Sequence, residues 1–398
     1  KSAIERADDF QQYINQLNEF GCKSYWITSQ TGVGSTMTIE GFSRPVTAFI
    51  SNDYLGMSQR EETKQAGIDA IIKYGTGACA AQVIGGYLDI HQQLEQEIAS
   101  FVGQEDAILF SSGFGANAGI LRALLGQNDI ALVDPYIHTS AMAGLKGTNV
   151  KRIGHNDLEY LEKTLKETKD QYQTRLVIID GVYSQDGDLS LLPEIISLCK
   201  THEAMLMLDD AHGIGVMGAN GRGTAEHFNC LGQVDIITGT FSKSFGCVGG
   251  FAAASKKIIQ YLKFYADSNV FSAAPTPQVT ASILKALEII KKEPAIRARL
   301  WENTDYLRSR LTTEGFDIGK SVSPIFPIMI RDNKKVYEIA KMLQEKGIFT
   351  IGIVYPAVRT KEARLRVSVL ATHEHEQLDA LINALNDINK DIKIKKEQ

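Results

Sequence analysis

The 398-residue sequence has little of what defines several protein classes. Its five cysteines are odd in number, widely spaced and without a C-x-x-C, which favours neither a disulfide framework nor a zinc site. No apolar run reaches the roughly 18 residues that a membrane-spanning helix needs, and the first twenty residues are charged and amphipathic, without an apolar signal core. A net charge of -5 argues against nucleic acid as a partner. We therefore expect a cytoplasmic location, with any membrane contact peripheral.

Short apolar runs separated by helical patterns fill the middle of the chain. Several lack alternation, as expected of strands covered on both faces. This order predicts a mainly parallel, seven-stranded, doubly wound sheet with helices on both faces. The runs are residues 106–110, 129–134, 150–155, 175–180, 204–209, 235–240 and 250–255.

The pattern changes near residue 277, where two long helices begin. They are followed by "PIFPIMI", a helix near 335–346, "IFTIGIV", "RLRVSVL" and a last helix after His375. This composition predicts a smaller α+β domain. We thus expect an N-terminal arm over 1–45, a large α/β domain over 46–276 and a C-terminal α+β domain over 277–398.

Polar side chains follow several of the predicted strands at their carboxyl ends, where open α/β sheets bind ligands. The small residues of "FSSGFGANAG" also follow a strand and open a helix whose free N–H groups suit a phosphate. Each feature alone has an ordinary explanation, such as a helix cap, a structural histidine or a tight turn. Their recurrence at successive strand ends is what predicts a site. The side chains are His138, Asp209, Asp210, His212, Thr240 and Lys243.

Two other kinds of site compete for this region. "GIGVMG" (213–218) matches G-x-G-x-x-G after a strand, but "ANGRG" follows it and does not open a helix, so the dinucleotide-binding context fails. Asp209, Asp210 and His212 are metal-ligand types, as are His373 and His375, but no third partner at a suitable spacing is evident. No metal site is predicted.

A lysine, an aspartate and a phosphate cradle suit pyridoxal 5'-phosphate (PLP) held as a Schiff base. The lysine must lose its proton to form the imine, which desolvation and positive surroundings favour. A carboxylate keeps the pyridine nitrogen protonated, and a helix N-terminus holds the phosphate. Lys243 and Asp209 fill these roles in the predicted site.

Motifs along nearly the whole chain resemble the α-oxoamine synthases, which are fold-type I PLP enzymes. The resemblance implies a homodimer with active sites at the interface. The matching motifs are "SNDYLG" (51–56), "KYGTGACAAQVIGGYLDIHQQLE" (73–95), "FSSGFGANAG" (110–119), "DGVYSQDGD" (180–188), "LDDAHGIGVMGANGRG" (208–223), "GTFSKS" (239–244) and "RLRVSVLATH" (364–373).

The resemblance also implies residue roles. Lys243 would form the Schiff base and act as acid and base at the substrate Cα, Asp209 would pair with the pyridine nitrogen, and His138 would stack on the ring. His212 and Ser184 would contact the ring hydroxyl or nearby substrate oxygens. Ser112, Gly113, Phe114 and Thr240 would contact the phosphate, and Ser272 would contact the phosphate in the partner subunit. Asn52 would lie near the substrate, and Arg366 would bind the substrate carboxylate.

The implied reaction condenses a small amino acid with an acyl-CoA and releases carbon dioxide and CoA. Most motifs resemble the bacterial serine palmitoyltransferase branch, which makes L-serine and palmitoyl-CoA the expected substrates, as in the first step of sphingolipid synthesis. Glycine C-acetyltransferase (2-amino-3-ketobutyrate CoA ligase), 8-amino-7-oxononanoate synthase and a cysteate acyltransferase are alternatives, because Gln82, Tyr87 and Tyr355 depart from patterns common in relatives. A catalytically silent, partner-binding subunit and a NAD-dependent enzyme are the options from other classes.

Overall fold

The computed structural model describes residues 1–22 and 25–395, and for residues 16–20 it describes the backbone alone. Contacts divide the chain into two compact units. One unit contains residues 52–299, and the other contains 1–51 together with 300–398. The division differs from the three segments expected from sequence, because helix Pro277–Lys292 packs on helix Glu61–Tyr74 inside the first unit. The expected arm and domains stay a prediction.

The strands of the described residues, in chain order, are β1 Thr36–Met37, β2 Val46–Ala48, β3 Asp106–Phe110, β4 Ile130–Val133, β5 Asn149–Arg152, β6 Arg175–Asp180, β7 Met205–Asp209, β8 Ile236–Thr240, β9 Gly250–Ala254, β10 Ile325–Met329, β11 Ile348–Phe349, β12 Ile351–Ile353 and β13 Arg364–Ser368. The seven runs predicted in the middle of the chain correspond to β3 through β9. Their ends agree within a few residues, because each run is apolar and bounded by turn residues.

The helices are α1 Ala3–Phe20, α2 Glu61–Tyr74, α3 Asp89–Val102, α4 Gly113–Leu124, α5 Thr139–Gly144, α6 Leu158–Glu167, α7 Leu192–Thr201, α8 Thr224–His227, α9 Lys256–Tyr265, α10 Asp267–Val270, α11 Pro277–Lys292, α12 Pro294–Thr313, α13 Asn333–Glu345 and α14 His375–Asp391. Short 3₁₀ turns lie at Met57–Gln59, Gln82–Ile84 and Thr360–Glu362.

The unit of residues 52–299 is built on one seven-stranded sheet in the order β3-β9-β8-β7-β6-β4-β5. Strands β5, β4, β6, β7 and β8 are paired in parallel, and β9 is antiparallel to both of its neighbours. Nearly every residue of β4, β6, β8 and β9 is buried, as the absence of alternation predicted. This confirms the predicted fold class, a mainly parallel seven-stranded sheet with helices.

The core on one side of this sheet is formed by aliphatic side chains of the strands and of helices α4 and α9. Phe110, Ile120, Leu121, Ile178 and Leu262 are all at most 1% exposed. Burial of such side chains stabilises the fold by roughly 1.5–3 kcal/mol each. The core thereby holds the amino end of α4 firmly beside the sheet.

The unit of residues 1–51 and 300–398 has two three-stranded sheets, β1-β2-β11 and β10-β13-β12. The predicted strand "IFTIGIV" is therefore two strands in different sheets: β11 pairs in parallel with β2, and β12 pairs with β13 in antiparallel fashion. His373 stacks on Phe49, with 4.6 Å between ring centroids. The α+β character predicted for the C-terminal region is confirmed.

None of the helices among the described residues is both long and apolar enough to cross a membrane.

Candidate functional site

A cavity of about 300 Å³ lies at the carboxyl ends of β6, β7 and β8, beside the amino end of α4. This volume is at the lower end of the range for small-molecule sites, roughly 300–1,000 Å³. Nine of the predicted site residues line it together. They are Ser112, Gly113, Phe114, His138, Ser184, Asp209, His212, Thr240 and Lys243.

Lys243 lies on the connection between β8 and β9, two strands that pair in antiparallel fashion. The connection is closed by main-chain hydrogen bonds, from Phe241 N to Gly249 O at 3.0 Å and from Gly246 N to Lys243 O at 2.8 Å. The carboxyl end of β8 lies at the cavity, and the Lys243 side chain, which follows it in the chain, lines the cavity.

The amino end of α4 forms one wall of the cavity. Ser112 caps the helix, with its Oγ accepting from Gly115 N at 2.9 Å. A Cβ at Gly250 would lie 2.5 Å from the main-chain nitrogen of Gly113, so glycine is required for β9 to pass this close to the helix. The first N–H groups of such a helix have no partner within the helix and suit an anion.

Two neighbouring aspartates at the end of β7 have different surroundings. Asp209 lines the cavity, and its Oδ1 accepts from Ala211 N at 3.0 Å. Asp210 points instead to Thr224, accepting from the Thr224 main-chain nitrogen at 2.6 Å and from its hydroxyl. Burial raises the pKa of Asp210 to about 6, against the opposing effect of the Thr224 hydrogen bonds. Only Asp209 of the two is placed to meet a ligand.

His138 lies at the start of α5, with its ring in the cavity wall. Burial lowers its pKa, and the Lys243 charge acts in the same direction while the Asp209 charge opposes it. His138 is therefore uncharged at neutral pH, which suits stacking on an aromatic ring.

Asp180 and Asp209 lie opposite each other in the parallel pair β6–β7, and both line the cavity. Burial raises the pKa of Asp180 well above its ordinary value, and the Asp209 charge raises it further. The main-chain N–H of His138 donates to the Asp180 carboxyl. Two carboxyls this close do not both ionise readily.

His212 forms a hydrogen bond with Tyr54. The Tyr54 hydroxyl lies 2.8 Å from His212 Nδ1, and both side chains are buried. The same hydroxyl lies 3.4 Å from Asn52 Oδ1. The motif "SNDYLG" thus contacts a histidine of the cavity wall.

A second charged cluster lies in the same unit, formed by Asp134, His155 and Asp188. His155 Nδ1 is 2.9 Å from Asp134 Oδ2, and its Nε2 is 2.8 Å from Asp188 Oδ2. Burial opposes a charge on His155, but the hydrogen bonds to both carboxylates outweigh burial and raise its pKa to about 9. The rings of Tyr136 and Tyr183 lie 4.8 and 4.6 Å from the His155 ring. We call this group the His155 cluster.

Three predicted site residues lie outside the cavity lining within the described chain. The half-buried Ser272 has its Oγ 3.3 Å from Ser111 Oγ. Asn52 precedes the Tyr54 contact described above. Arg366 belongs to the unit of residues 1–51 and 300–398, where it is buried in β13 and donates to Ser368 Oγ at 3.0 Å. Arg364, two residues earlier in the same strand, is buried as well.

Sequence reasoning missed four polar residues that line the cavity: Asn117, Ser140, Asp180 and Ser242. Asn117 lies one turn into α4, and Ser140 lies in the first turn of α5. Their importance comes from contacts between distant segments, which no local motif shows. A signal for Asp180 was present, because it ends an apolar strand as Asp209 does.

The described residues contain no group of three or more His, Cys, Asp or Glu side chains arranged to hold a metal ion. They do fit PLP by their chemistry. A lysine amine, a carboxylate, an uncharged imidazole and a helix N-terminus surround one cavity. These groups match the aldehyde, the ring nitrogen, the ring face and the phosphate of this cofactor.

The segment "GIGVMG" forms turns, and the next helix, α8, begins only at Thr224. The glycines therefore do not open a helix as a dinucleotide fingerprint does.

Comparison with known proteins identifies the family. Residues 44–385 match the family described as aminotransferase class I and II. The chain is 40% identical to a serine palmitoyltransferase of Sphingobacterium spiritivorum, over 98% of this chain and 97% of the relative. It is 38% identical to an 8-amino-7-oxononanoate synthase of Thermoanaerobacter pseudethanolicus, over 99% of this chain and 100% of the relative.

Among solved structures, a serine palmitoyltransferase with PLP as internal aldimine superposes with a TM-score of 0.94 at 28% identity, covering 99% of this chain and 100% of the other. The fold class, the cofactor class and the transferase class expected from the motifs agree with these matches. The chain belongs to the aminotransferase class I and II family and, within it, to the α-oxoamine synthases, which are fold-type I PLP-dependent transferases.

Proposed function

We propose that this protein is a PLP-dependent C-acyltransferase that condenses a small amino acid with an acyl-CoA and releases carbon dioxide and CoA. One observation carries the proposal: Lys243, Asp209 and the amino end of α4 line the same cavity. A lysine, a carboxylate and an anion cradle around one space are what PLP chemistry needs.

When bound, PLP supplies an aromatic ring that withdraws electrons from the Cα of the amino acid. Lys243 Nζ would hold the cofactor at its aldehyde carbon and would move a proton to and from the substrate Cα. Asp209 would hold a proton at the ring nitrogen, and His138 would pack on the ring face. His212 and Ser184 would bind the ring hydroxyl and nearby substrate oxygens.

The phosphate is held by the N–H groups of Gly113 and Phe114 and by the hydroxyls of Ser112 and Thr240. Exposed apolar groups surround the cavity mouth, with Phe114 50% and Val248 55% exposed. Such exposure at a ligand site suits coverage by a second subunit. We therefore propose a cytoplasmic homodimer in which Ser272 reaches the partner subunit's phosphate.

The proposed substrates are L-serine and palmitoyl-CoA, with Arg366 binding the amino acid carboxylate and Asn52 near the substrate. The relatives named serine palmitoyltransferase support this choice. Relatives named 8-amino-7-oxononanoate synthase match about as well, which makes that reaction the second candidate. The segment around Gly86 and Tyr87 favours the second candidate, and there Tyr87 donates to Glu95 at 2.5 Å.

The cofactor is tested by adding PLP to the purified protein and recording the visible spectrum. We expect an absorption band of a protonated imine that disappears in Lys243→Ala, because only Nζ can form this bond. Lys257→Ala, at an exposed lysine in α9, is the matched control and should keep the band. A wild-type protein that stays colourless with PLP would contradict the proposal.

The substrates are tested by offering serine, glycine, alanine and cysteate with short-chain and long-chain acyl-CoAs and measuring released CoA thiol. We expect serine with palmitoyl-CoA to give the highest kcat/KM. Turnover of glycine with acetyl-CoA alone would make the serine palmitoyltransferase assignment wrong. It would leave the PLP-dependent acyltransferase class intact.

A further inference from the structure

A chain of hydrogen bonds connects two cavity residues from distant segments, Asp209 at the end of β7 and His138 at the start of α5. Asn117 Nδ2 donates to Asp209 Oδ2 at 2.6 Å and to Ser140 Oγ at 2.9 Å. Ser140 Oγ in turn lies 2.7 Å from His138 Nδ1. Asn117 is 3% exposed and Ser140 is fully buried. Hydrogen bonds in such surroundings are stronger than at the surface.

The direction of this chain follows from one contact. The main-chain N–H of Ser140 also points to His138 Nδ1, at 3.3 Å, and a main-chain nitrogen can only donate. His138 Nδ1 is therefore an acceptor, so the Ser140 hydroxyl donates to it and the ring proton lies on Nε2. Ser140 Oγ is then free to accept from Asn117, whose amide uses one hydrogen for each partner.

The Asn117 amide also donates to one of the two carboxyls of the cavity, Asp209. Asp209 accepts from N–H donors at both oxygens, Ala211 N at Oδ1 and Asn117 Nδ2 at Oδ2. These two hydrogen bonds fix the orientation of the Asp209 carboxyl at the cavity. Asp180 lies opposite Asp209 in the sheet, and burial raises its pKa.

We propose that Asn117 is a positioning residue: by donating both amide hydrogens it fixes the orientation of the Asp209 carboxyl and, through Ser140, holds the His138 ring with its proton on Nε2. This inference rests on the proposed function, because a PLP ring between Asp209 and His138 is what would use both effects. Asn117 thereby prepares the two groups before the cofactor binds.

The test uses Asn117→Leu, which keeps the volume of the side chain but removes both donors, and Ser140→Ala, which removes one hydroxyl. Asn269→Leu is the matched control, since Asn269 is also buried and donates to Leu109 O at 2.7 Å, away from the cavity lining. Each full-length protein is labelled with 15N-histidine and observed by NMR without PLP, with His138→Gln identifying the His138 signals.

In the wild-type protein we expect an unprotonated Nδ1 and a protonated Nε2 on His138. Ser140→Ala removes the shorter of the two hydrogen bonds to Nδ1, and Asn117→Leu removes the donor that orients the Ser140 hydroxyl, while the longer main-chain bond remains in both. Both variants should therefore raise the fraction of His138 protonated on Nδ1, and Asn269→Leu should not, even where it lowers the unfolding temperature. If Asn117→Leu does not fold, Ser140→Ala alone tests the effect on the His138 tautomer. In that case Asn117→Asp, whose side chain has the same shape, replaces Asn117→Leu in the affinity measurement below. A His138 pattern unchanged in the folded Asn117→Leu or Ser140→Ala protein would overturn the proposal.

A second measurement tests the hydrogen bond from Asn117 to Asp209 through PLP affinity. Loss of a hydrogen bond to a charged group should weaken PLP binding about 10- to 100-fold in Asn117→Leu or Asn117→Asp. Asn269→Leu should bind PLP as the wild type does. Equal affinity in the Asn117 variants and the wild type would overturn the role at Asp209. A wild-type protein that binds no PLP would refute the proposed function, while the NMR measurement would still decide whether Asn117 controls His138.

Discussion

His138 and His155 lie in the same unit, and His138 is the more exposed of the two, but their surroundings shift the pKa of the two imidazoles in opposite directions. His138 accepts from Ser140 and lies near Lys243, and its pKa is lowered. His155 lies between two carboxylates, and its pKa is raised to about 9. Burial disfavours the imidazolium in both cases, so the hydrogen-bonding partners decide the outcome.

The comparison extends to the regions around the two histidines. In the His155 cluster the charged groups satisfy one another, as in a structural ion network. In the cavity, Lys243, Asp209 and the helix N-terminus are arranged around a space. The first region should therefore contribute to stability and the second to binding and catalysis.

The largest effect is expected for Asp209→Asn. The neutral amide cannot stabilise a proton at the ring nitrogen, so turnover of the substrate pair identified by thiol release should fall by about 10²–10⁴-fold. The free energy of unfolding of the cofactor-free protein should change little, because the substitution also removes repulsion with Asp180. If the free energy of unfolding also fell strongly, Asp209 would be a structural residue, and the contrast between the cavity and the His155 cluster would be wrong.

His155→Gln should show the opposite pattern. Removing the imidazolium leaves Asp134 and Asp188 uncompensated, which should lower the free energy of unfolding by about 2–4 kcal/mol, somewhat less than for a fully buried pair. Urea denaturation measures this change. His227→Gln, at an exposed histidine of the same unit, should cost less than about 0.5 kcal/mol. Equal stability of the two variants would show that the His155 cluster contributes nothing to stability.

The contribution of His155 should also depend on pH. Folding raises its pKa from the ordinary value near 6.5 to about 9, so the folded state binds this proton more tightly. The stabilisation is present in full below pH 6.5 and is lost as the pH rises through about 9. The difference in unfolding free energy between the wild type and His155→Gln should therefore shrink between pH 7 and pH 10. A difference that grew over this range would mean that His155 is uncharged in the fold.

The smallest effect is expected at the cap of α4. Ser112→Ala should lower the free energy of unfolding by about 1 kcal/mol, as loss of a capping hydroxyl does. Ser255→Ala, at the cap of α9, should have a similar or smaller effect on stability. Only Ser112→Ala should weaken PLP binding, measured by titration of the visible band. Equal PLP affinity in both variants would remove Ser112 from the phosphate site.

Most of the sheet is predictable from the sequence, because each strand is a short apolar run between turn signals. His138, Asp209, His212, Thr240, Lys243 and the helix opening after β3 are predictable for the same reason, since ligands bind at the carboxyl ends of the strands in such sheets. Ser184 and the individual phosphate contacts of Ser112, Gly113 and Phe114 were implied only by the family resemblance. The split of "IFTIGIV" is not predictable, since β11 and β12 are separated by Thr350 alone and find partners elsewhere in the sequence. Only the tertiary pairing distinguishes one bent strand from two.

Asn117 shows why part of the site could not be predicted. It lies inside a helix of small residues, where an asparagine has no special local meaning, and its partner Asp209 is 92 positions away in the sequence. Ser140 has the same character, because a serine in the first turn of a helix is usually a capping or solvated residue. Such residues become visible only when helices α4 and α5 are placed beside the sheet.

The antiparallel strand β9 has a consequence for how the protein can change. Lys243 is carried by a hairpin whose two arms are both paired strands of the central sheet, with Thr240 opposite Gly250. A residue inserted within β9 itself would shift its pairing with β8 and β3 and move its buried side chains to the opposite face of the sheet. Evolution can therefore vary what this enzyme acts on at the edges of the cavity, while the pairing of the two strands that carry the lysine connection is constrained by the whole sheet.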